Sequence, residues 1–232
     1  MIRWDVSGPY EVVFSTREGG VSKGPYESLN LGRMTGDDVE CVDENRRRLC
    51  AEIGAEAERL ALNRQVHSAH VHRAEAGARG RPGDGLWTDE PGLPILAMSA
   101  DCLPIALVRV DGDTPAVAVL HAGWRGLLDG IVEQGVRTLG GEVRAAIGPG
   151  IGPCCYQVGP EVAQPFAATY GSALIRGHNL DLWGAAKRVL EQAGVENVHR
   201  VDLCTHCNPD RFFSHRRTGK PRGVQGVIAR VA

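Results

Sequence analysis

Residues 116–126 read AVAVLHAGWRG, and no other stretch restricts the fold of this chain so much. The unbroken run of small apolar residues is short for a helix and reads as a buried strand. It stops on a histidine, His121, and is followed at once by Gly123 and Gly126, which bracket Trp124 and Arg125. A strand of this kind needs a core around it, and 232 residues are enough to build one as a single domain over 1–232. The 30 glycines, well above the usual ~7%, call for many tight turns and close backbone approaches.

Around this strand, hydrophobic periodicity predicts further elements. EVVFSTREGG is a strand that breaks at Gly19-Gly20, and residues 37–53 have helical spacing, with acids early and bases late. LALNRQVHSAHVHRA is strand-like, and GARGRPGDG (77–85) is a loop by composition. LPILAMSADCLPIALVRV gives two apolar runs joined at Asp101-Cys102, and 127–139 reads as one helix. VRAAIGPGIGPCCYQVG is a strand entering a Gly/Pro loop. PEVAQPFAATYG and NLDLWGAAKRVLEQAG are helices, the second ended by Gly194, and VHRVDLC and GVQGVIARV are strands. Strands outnumber helices and occur both in succession and alternating with helices, which predicts an α+β domain with mixed sheets.

Composition excludes several classes of partner. A net charge of −2 and a pI near 6.4 advertise neither a nucleic-acid nor a membrane surface. No apolar run approaches the ~20 residues of a membrane span, and the N-terminus lacks the layout of a signal peptide. Seven cysteines, an odd number in a chain too large to need staples, suggest reduced thiols and a cytoplasmic protein.

Three positions place a soft or imidazole ligand at a strand end: His67 in QVHSAH, Cys102 in SADCLP and His121 in LHAGWRG. Together they would make an N₂S site suited to Zn²⁺ with an open fourth position, which lowers the pKa of bound water toward ~7. Spacing alone does not bring the three together, and on spacing a packed thiol with two satisfied core histidines is the better fit. His70 and His72 share a strand face that His67 does not, so the three histidines need not form one site. CTHC (204–207) and Cys154-Cys155 match a structural zinc ribbon poorly, because such a ribbon pairs two C-x₂-C knuckles. HAGWRGLL leads into a helix whose N-terminus could hold an anion, although it matches neither a Walker nor a dinucleotide glycine pattern. Arg125 either reaches a ligand there or ties down the loop. Ser214, Arg216 and Arg217 in FFSHRR are able to grip a phosphate.

QVHSAHV, SADCLPI, HAGWRG, IGPGIGPCCYQVGPEV and DLCT with FFSHRR occur in the order and rough spacing of the YfiH-like family. Its members are known both as laccase-like polyphenol oxidases and as purine nucleoside phosphorylase/adenosine deaminases. The chain resembles this family from SLNLG (28–32) and DENRRRL (43–49) to its C-terminus. The resemblance implies an α+β fold of stacked mixed sheets and a zinc site of His67, Cys102 and His121. It also implies phosphorolysis of adenosine, inosine or methylthioadenosine and hydrolytic deamination of adenosine, with purine nucleoside and phosphate as the ligands. Asp101 is the nearest acid in sequence for proton transfer, and Arg46, Arg125, Arg216 and Arg217 are candidates to hold phosphate. The oligomeric state is left open.

The chain departs from the family pattern at three places. Ser68 follows the first histidine where the family has glycine, and Gln157 replaces the glutamate of Y-E-V. Gly223-Val224-Gln225 stands where G-R-Q is expected, leaving Arg222 to substitute. Copper-dependent phenol oxidation is a rival reading, but eight histidines are thin support for a multicopper centre, although Cu²⁺ competes well at N/S sites. A metal-free hydrolase with Cys102 as nucleophile and a histidine base is another rival. A nucleoside-binding protein without turnover is a third.

Overall fold

The computed structural model describes residues 1–112 and 114–232. The first half runs β1 (Ile2–Arg3), β2 (Tyr10–Phe14), α1 (Val39–Glu52), β3 (Ala61–Arg64), β4 (Val71–Arg73), β5 (Arg79–Pro82), β6 (Gly85–Thr88), β7 (Ile95–Ser99) and β8 (Leu103–Arg109). Next come β9 (Ala116–Ala122), α2 (Trp124–Leu128), α3 (Ile131–Leu139), β10 (Val143–Ile147) and α4 (Pro160–Tyr170). A hairpin of β11 (Ile175–Arg176) and β12 (Asn179–Leu180), then α5 (Leu182–Gln192), β13 (Asn197–Arg200), α6 (His215–Thr218) and β14 (Gln225–Val231) complete the chain.

Two six-stranded mixed sheets result, in the orders β1-β2-β14-β7-β3-β5 and β13-β10-β8-β9-β6-β4. The expected α+β architecture of mixed, stacked sheets is therefore present. Phe14, Ile95, Val227 and Ala229 of the first sheet pack against Ala106, Val108, Val117 and Val119 of the second. Beyond the second sheet, Ile105, Leu107, Ala118 and Leu120 meet a helical layer that includes Val132, Phe166, Ala186 and Leu190. Beyond the first, Val13, Leu62, Leu96 and Ile228 pack with Leu49 and Cys50 of α1.

This layering explains why β9 is apolar throughout. Successive side chains of a strand point to opposite faces. Val117 and Val119 therefore enter the core between the sheets while Ala116, Ala118 and Leu120 enter the core under the helices. Each such valine or leucine, fully buried, contributes roughly 1.5–3 kcal/mol. His121 has the same parity as Val117 and Val119, and it reaches the edge of the inter-sheet layer at the end of the strand.

Three segments differ from the sequence prediction. The helix expected over 127–139 breaks into α2 and α3, because Gly130 takes a left-handed φ of 87°. LALNRQVHSAHVHRA is not one strand but β3 and β4, which belong to different sheets, so residues between them cross from one sheet to the other. The 77–85 loop contains β5, which pairs parallel with β3 at the sheet edge. Among the described residues no helix is long and apolar enough to cross a membrane.

Candidate metal centre

Strand pairing delivers two of the three expected ligands to one place. β8 and β9 are antiparallel with Pro104 opposite His121 and Leu103 opposite Ala122, so Cys102, just before β8, lies beside the end of β9. His67 arrives from the crossover between the two sheets. One donor atom from each of His67, Cys102 and His121 lies within 4.8 Å of the others. Cys102 Sγ is 3.9 Å from His67 Nε2, and the two imidazoles meet edge to face with centroids 4.9 Å apart.

Behind them stands a residue that sequence reasoning missed. β6 pairs with β9 with Gly85 opposite Leu120, which sets Asp84 against His121; His121 N–H donates to the Asp84 carbonyl at 2.7 Å. The Asp84 carboxylate is fully buried and lies 2.9 Å from His121 Nδ1. It also accepts from the backbone N–H groups of Val66, His67 and Ser68 at 3.1, 3.0 and 2.7 Å and from Ser68 Oγ at 2.8 Å. One carboxylate thus fixes the tautomer of His121, leaving Nε2 for a ligand, and also shapes the turn that carries His67. Ser68, where the family pattern has glycine, adds a hydroxyl to this set. In the sequence Asp84 sits between two glycines, a setting ordinary for a turn aspartate. The only available signal was the general need of a ligand histidine for an acidic partner.

The backbone is bent to fit. His67 and Asp101 both have left-handed φ, 61° and 92°, in a region that costs non-glycine residues energy and that clusters at functional sites. Glycine at 123 is required by the ligands themselves: a Cβ there would lie 2.9 Å from Cys102 Sγ and 3.2 Å from His67 Cδ2. The glycine that follows the strand-end histidine lets the next turn pass against the cluster.

The electrostatics are those of a mutually charged pair. Burial pushes the Cys102 thiol up, but His121 and His67 outweigh it and the net shift is downward. Burial opposes charge on His121 too, but Cys102 and Asp84 more than compensate and raise it. Asp84 is driven well below the usual carboxylate range by His121 and Ser68 despite its burial.

The remaining candidates separate into groups. Asp101 is committed: its Oδ1 accepts from Thr205 Oγ1 and its Oδ2 from Arg216 N–H, each at 2.6 Å. It therefore positions the turn before Cys102. Ser214 caps α6, its Oγ accepting from Arg217 N–H at 3.2 Å, and the Arg217 guanidinium is spent on the carbonyls of Thr205, His206 and Phe212. Arg46 is buried on α1, donates to the Leu31 carbonyl at 2.9 Å and has Arg79, Arg33 and Asp43 as charged neighbours, so the structure does not bring it to the cluster. By contrast, Tyr156 has Cys102, Arg216, Asp101 and Arg125 as its charged neighbours, and burial raises its phenol. Arg125 lies over the Trp124 ring at 4.4 Å and Arg216 over Tyr156 at 5.3 Å. Arg222 has Asp101 and Cys102 as charged neighbours, and its Nε is buried without a partner. The five-residue α2 is too short to supply the anion-binding helix terminus expected of HAGWRGLL. His72 lies apart from the cluster, its Nε2 2.9 Å from the Pro82 carbonyl.

A second group gathers although CTHC and Cys154-Cys155 lack the spacing of a zinc ribbon. One sulfur from each of Cys154, Cys155, Cys204 and Cys207 lies within 4.8 Å of the others. Counting along the sequence could not show this, because the pairing of Gly150 with Cys204 folds two distant loops together.

With this geometry established, the comparisons with known proteins settle the lineage. The family model described as multi-copper polyphenol oxidoreductase laccase matches residues 11–231. The chain belongs to that family. Among similar proteins, a Pseudomonas aeruginosa purine nucleoside phosphorylase is 36% identical over 94% of this chain and 92% of its own. A Deinococcus radiodurans protein of the same name is 39% identical over 94% and 89%. A Neisseria meningitidis structure superposes with a TM-score of 0.89 at 31% identity, covering 99% of this chain and 98% of its own. The family's YlmD from Geobacillus stearothermophilus gives 0.87 at 34% identity, covering 96% and 92%. Among the described residues, the two groups above are those in which three or more possible metal donors lie within 4.8 Å of one another.

Proposed function

We propose that this protein is a purine nucleoside phosphorylase whose reaction takes place at His67, Cys102 and His121. The observation that carries the reading is the convergence of these three donors in front of Asp84, in a chain whose close relatives bear that name. The 3.9 Å between Cys102 Sγ and His67 Nε2 is close to the roughly 3.5 Å that bonds of about 2.0–2.3 Å span at a tetrahedral zinc, and the N₂S set with its carboxylate-held histidine suits that metal. Zinc bound by His67 Nε2, Cys102 Sγ and His121 Nε2 would supply Lewis-acid activation of water or substrate.

The protein's own groups do the rest. Asp84 keeps His121 in one tautomer and orientation. In phosphorolysis the bond between the purine nitrogen and C1′ breaks as a phosphate oxygen bonds C1′, so the phosphate must be held by cations beside the sugar. Arg125, Arg216 and Arg222, grouped near Cys102 and Tyr156, serve that role. The protonated Tyr156 phenol donates a hydrogen bond to the nucleoside. The same site accommodates inosine and methylthioadenosine, and with water in place of phosphate it deaminates adenosine at C6 to give inosine and ammonia.

A chromatographic assay of metal-quantified protein with adenosine, with and without phosphate, tests this. Adenine and ribose 1-phosphate should appear only with phosphate, and inosine without it; adenosine left untouched in both would overturn the assignment. A second reading is favoured by one observation, the alignment of Cys102, His121 and Asp84 as nucleophile, base and orienting acid. That cysteine hydrolase would survive chelators and be killed by iodoacetamide.

A further inference from the structure

The four-cysteine cluster lies outside the chemistry just described. Cys154 and Cys155 sit in the loop between β10 and α4, which opens with Gly148-Pro149-Gly150-Ile151-Gly152-Pro153, while Cys204 and Cys207 form a C-x₂-C turn after β13. Cys207 Sγ is 3.6 Å from Cys154 Sγ and 3.3 Å from Cys155 Sγ. Gly152 N–H donates to Cys204 Sγ at 3.2 Å. All seven cysteines of the chain are free thiols.

We propose that Cys154, Cys155, Cys204 and Cys207 hold a structural zinc ion, a second metal centre that staples these two loops together. Four sulfurs at the ~2.3 Å bond length of a tetrahedral zinc site stand about 3.8 Å from one another, within the spread of this cluster. A pair of disulfides fits less well: Cys207 approaches two thiols to a similar degree, where a bridge would select one. The two loops meet at the cluster. The first is rich in glycine and proline, and of the four sulfur-bearing residues Cys204 alone is buried while Cys154 and Cys207 are exposed.

The staple would bear on the other centre through one residue. Thr205, inside the C-x₂-C turn, donates its N–H to the Gly150 carbonyl at 3.0 Å and its hydroxyl to Asp101 at 2.6 Å. Asp101 in turn receives Ile151 N–H on its carbonyl at 2.8 Å and immediately precedes Cys102. Fixing the two loops thus fixes the turn from which Cys102 projects, and the four sulfurs complete a zinc shell without an open position. The zinc here is structural, not reactive.

Elemental analysis of zinc-loaded protein in the Cys102→Ala background tests this independently of what the other centre does. One zinc per chain should remain there and be lost when Cys204→Ser and Cys207→Ser are added. Cobalt in place of zinc should give the intense visible absorption of a tetrahedral tetrathiolate, kept in Cys102→Ala. Should the triple variant fail to fold, thiol reactivity of the wild-type protein decides. The exposed Cys154 and Cys207 should be shielded from a thiol reagent until a strong chelator is added. A zinc-free Cys102→Ala protein, prompt reaction of Cys154 and Cys207 in the zinc-loaded wild type, or a disulfide within the cluster under reducing conditions would overturn the proposal.

Discussion

His67, Cys102 and His121 are carried by strand ends and a sheet crossover and backed by a buried carboxylate. Cys154, Cys155, Cys204 and Cys207 come from two irregular loops, tied down by side chains such as Arg217 and Asn208 and, among the described residues, with no carboxylate bonded to their sulfurs. Paired strands aim their terminal side chains before any metal arrives, so the first centre is pre-organised and can afford an open position. The loops of the second lack that support. With zinc bound as proposed, the contrast separates a centre that the fold builds from one that helps to build the fold, in keeping with the difference between catalytic and structural zinc.

Asp84→Asn is the strongest way to break this comparison short of removing a ligand. The amide retains the shape but loses the charge that four donors of the 66–68 turn and His121 share. Loss of such a partner typically costs 10–100-fold in metal affinity or activity, and the upper end, about a hundredfold, is expected here. Metal competition titration and turnover on the same sample would check it, and unchanged affinity and turnover would remove Asp84 from the account. Gly123→Ala is a smaller perturbation. Its Cβ, 2.9 Å from Cys102 Sγ, must displace a ligand by a few tenths of an ångström. About a tenfold fall in turnover with little change in melting temperature is expected, since displacements near 1 Å cost about a hundredfold. A variant as active as wild type would mean that the tight packing after β9 serves the fold alone.

The legibility of these regions in the sequence follows the same division. β9 and its terminal histidine were readable because a seven-residue apolar strand has few places to go, and Cys102 because it sits where two apolar runs join. The ligand role of all three donors rests on the family resemblance, and the strand-like setting of His67 conceals a crossover between sheets. Asp84 was not readable: its partners lie 16 to 37 residues away, brought close by the pairing of β6 with β9. The break at Gly130 was missed because the apolar spacing runs on through it, whereas the backbone there turns left-handed. Local spacing cannot show the proximity of the four cysteines, which comes from a bridge between residues 150 and 204.

The central claim is that the strand-end centre carries phosphorolysis, and comparing Cys102→Ala with the wild-type protein in phosphate-dependent release of adenine from adenosine tests it most directly. The account predicts a loss of roughly a thousandfold or more in kcat/KM, with the melting temperature largely preserved, because Cys102 is both a proposed ligand and the charge partner of His121. A folded Cys102→Ala protein that releases adenine at the wild-type rate would contradict it and place the reaction elsewhere in the molecule.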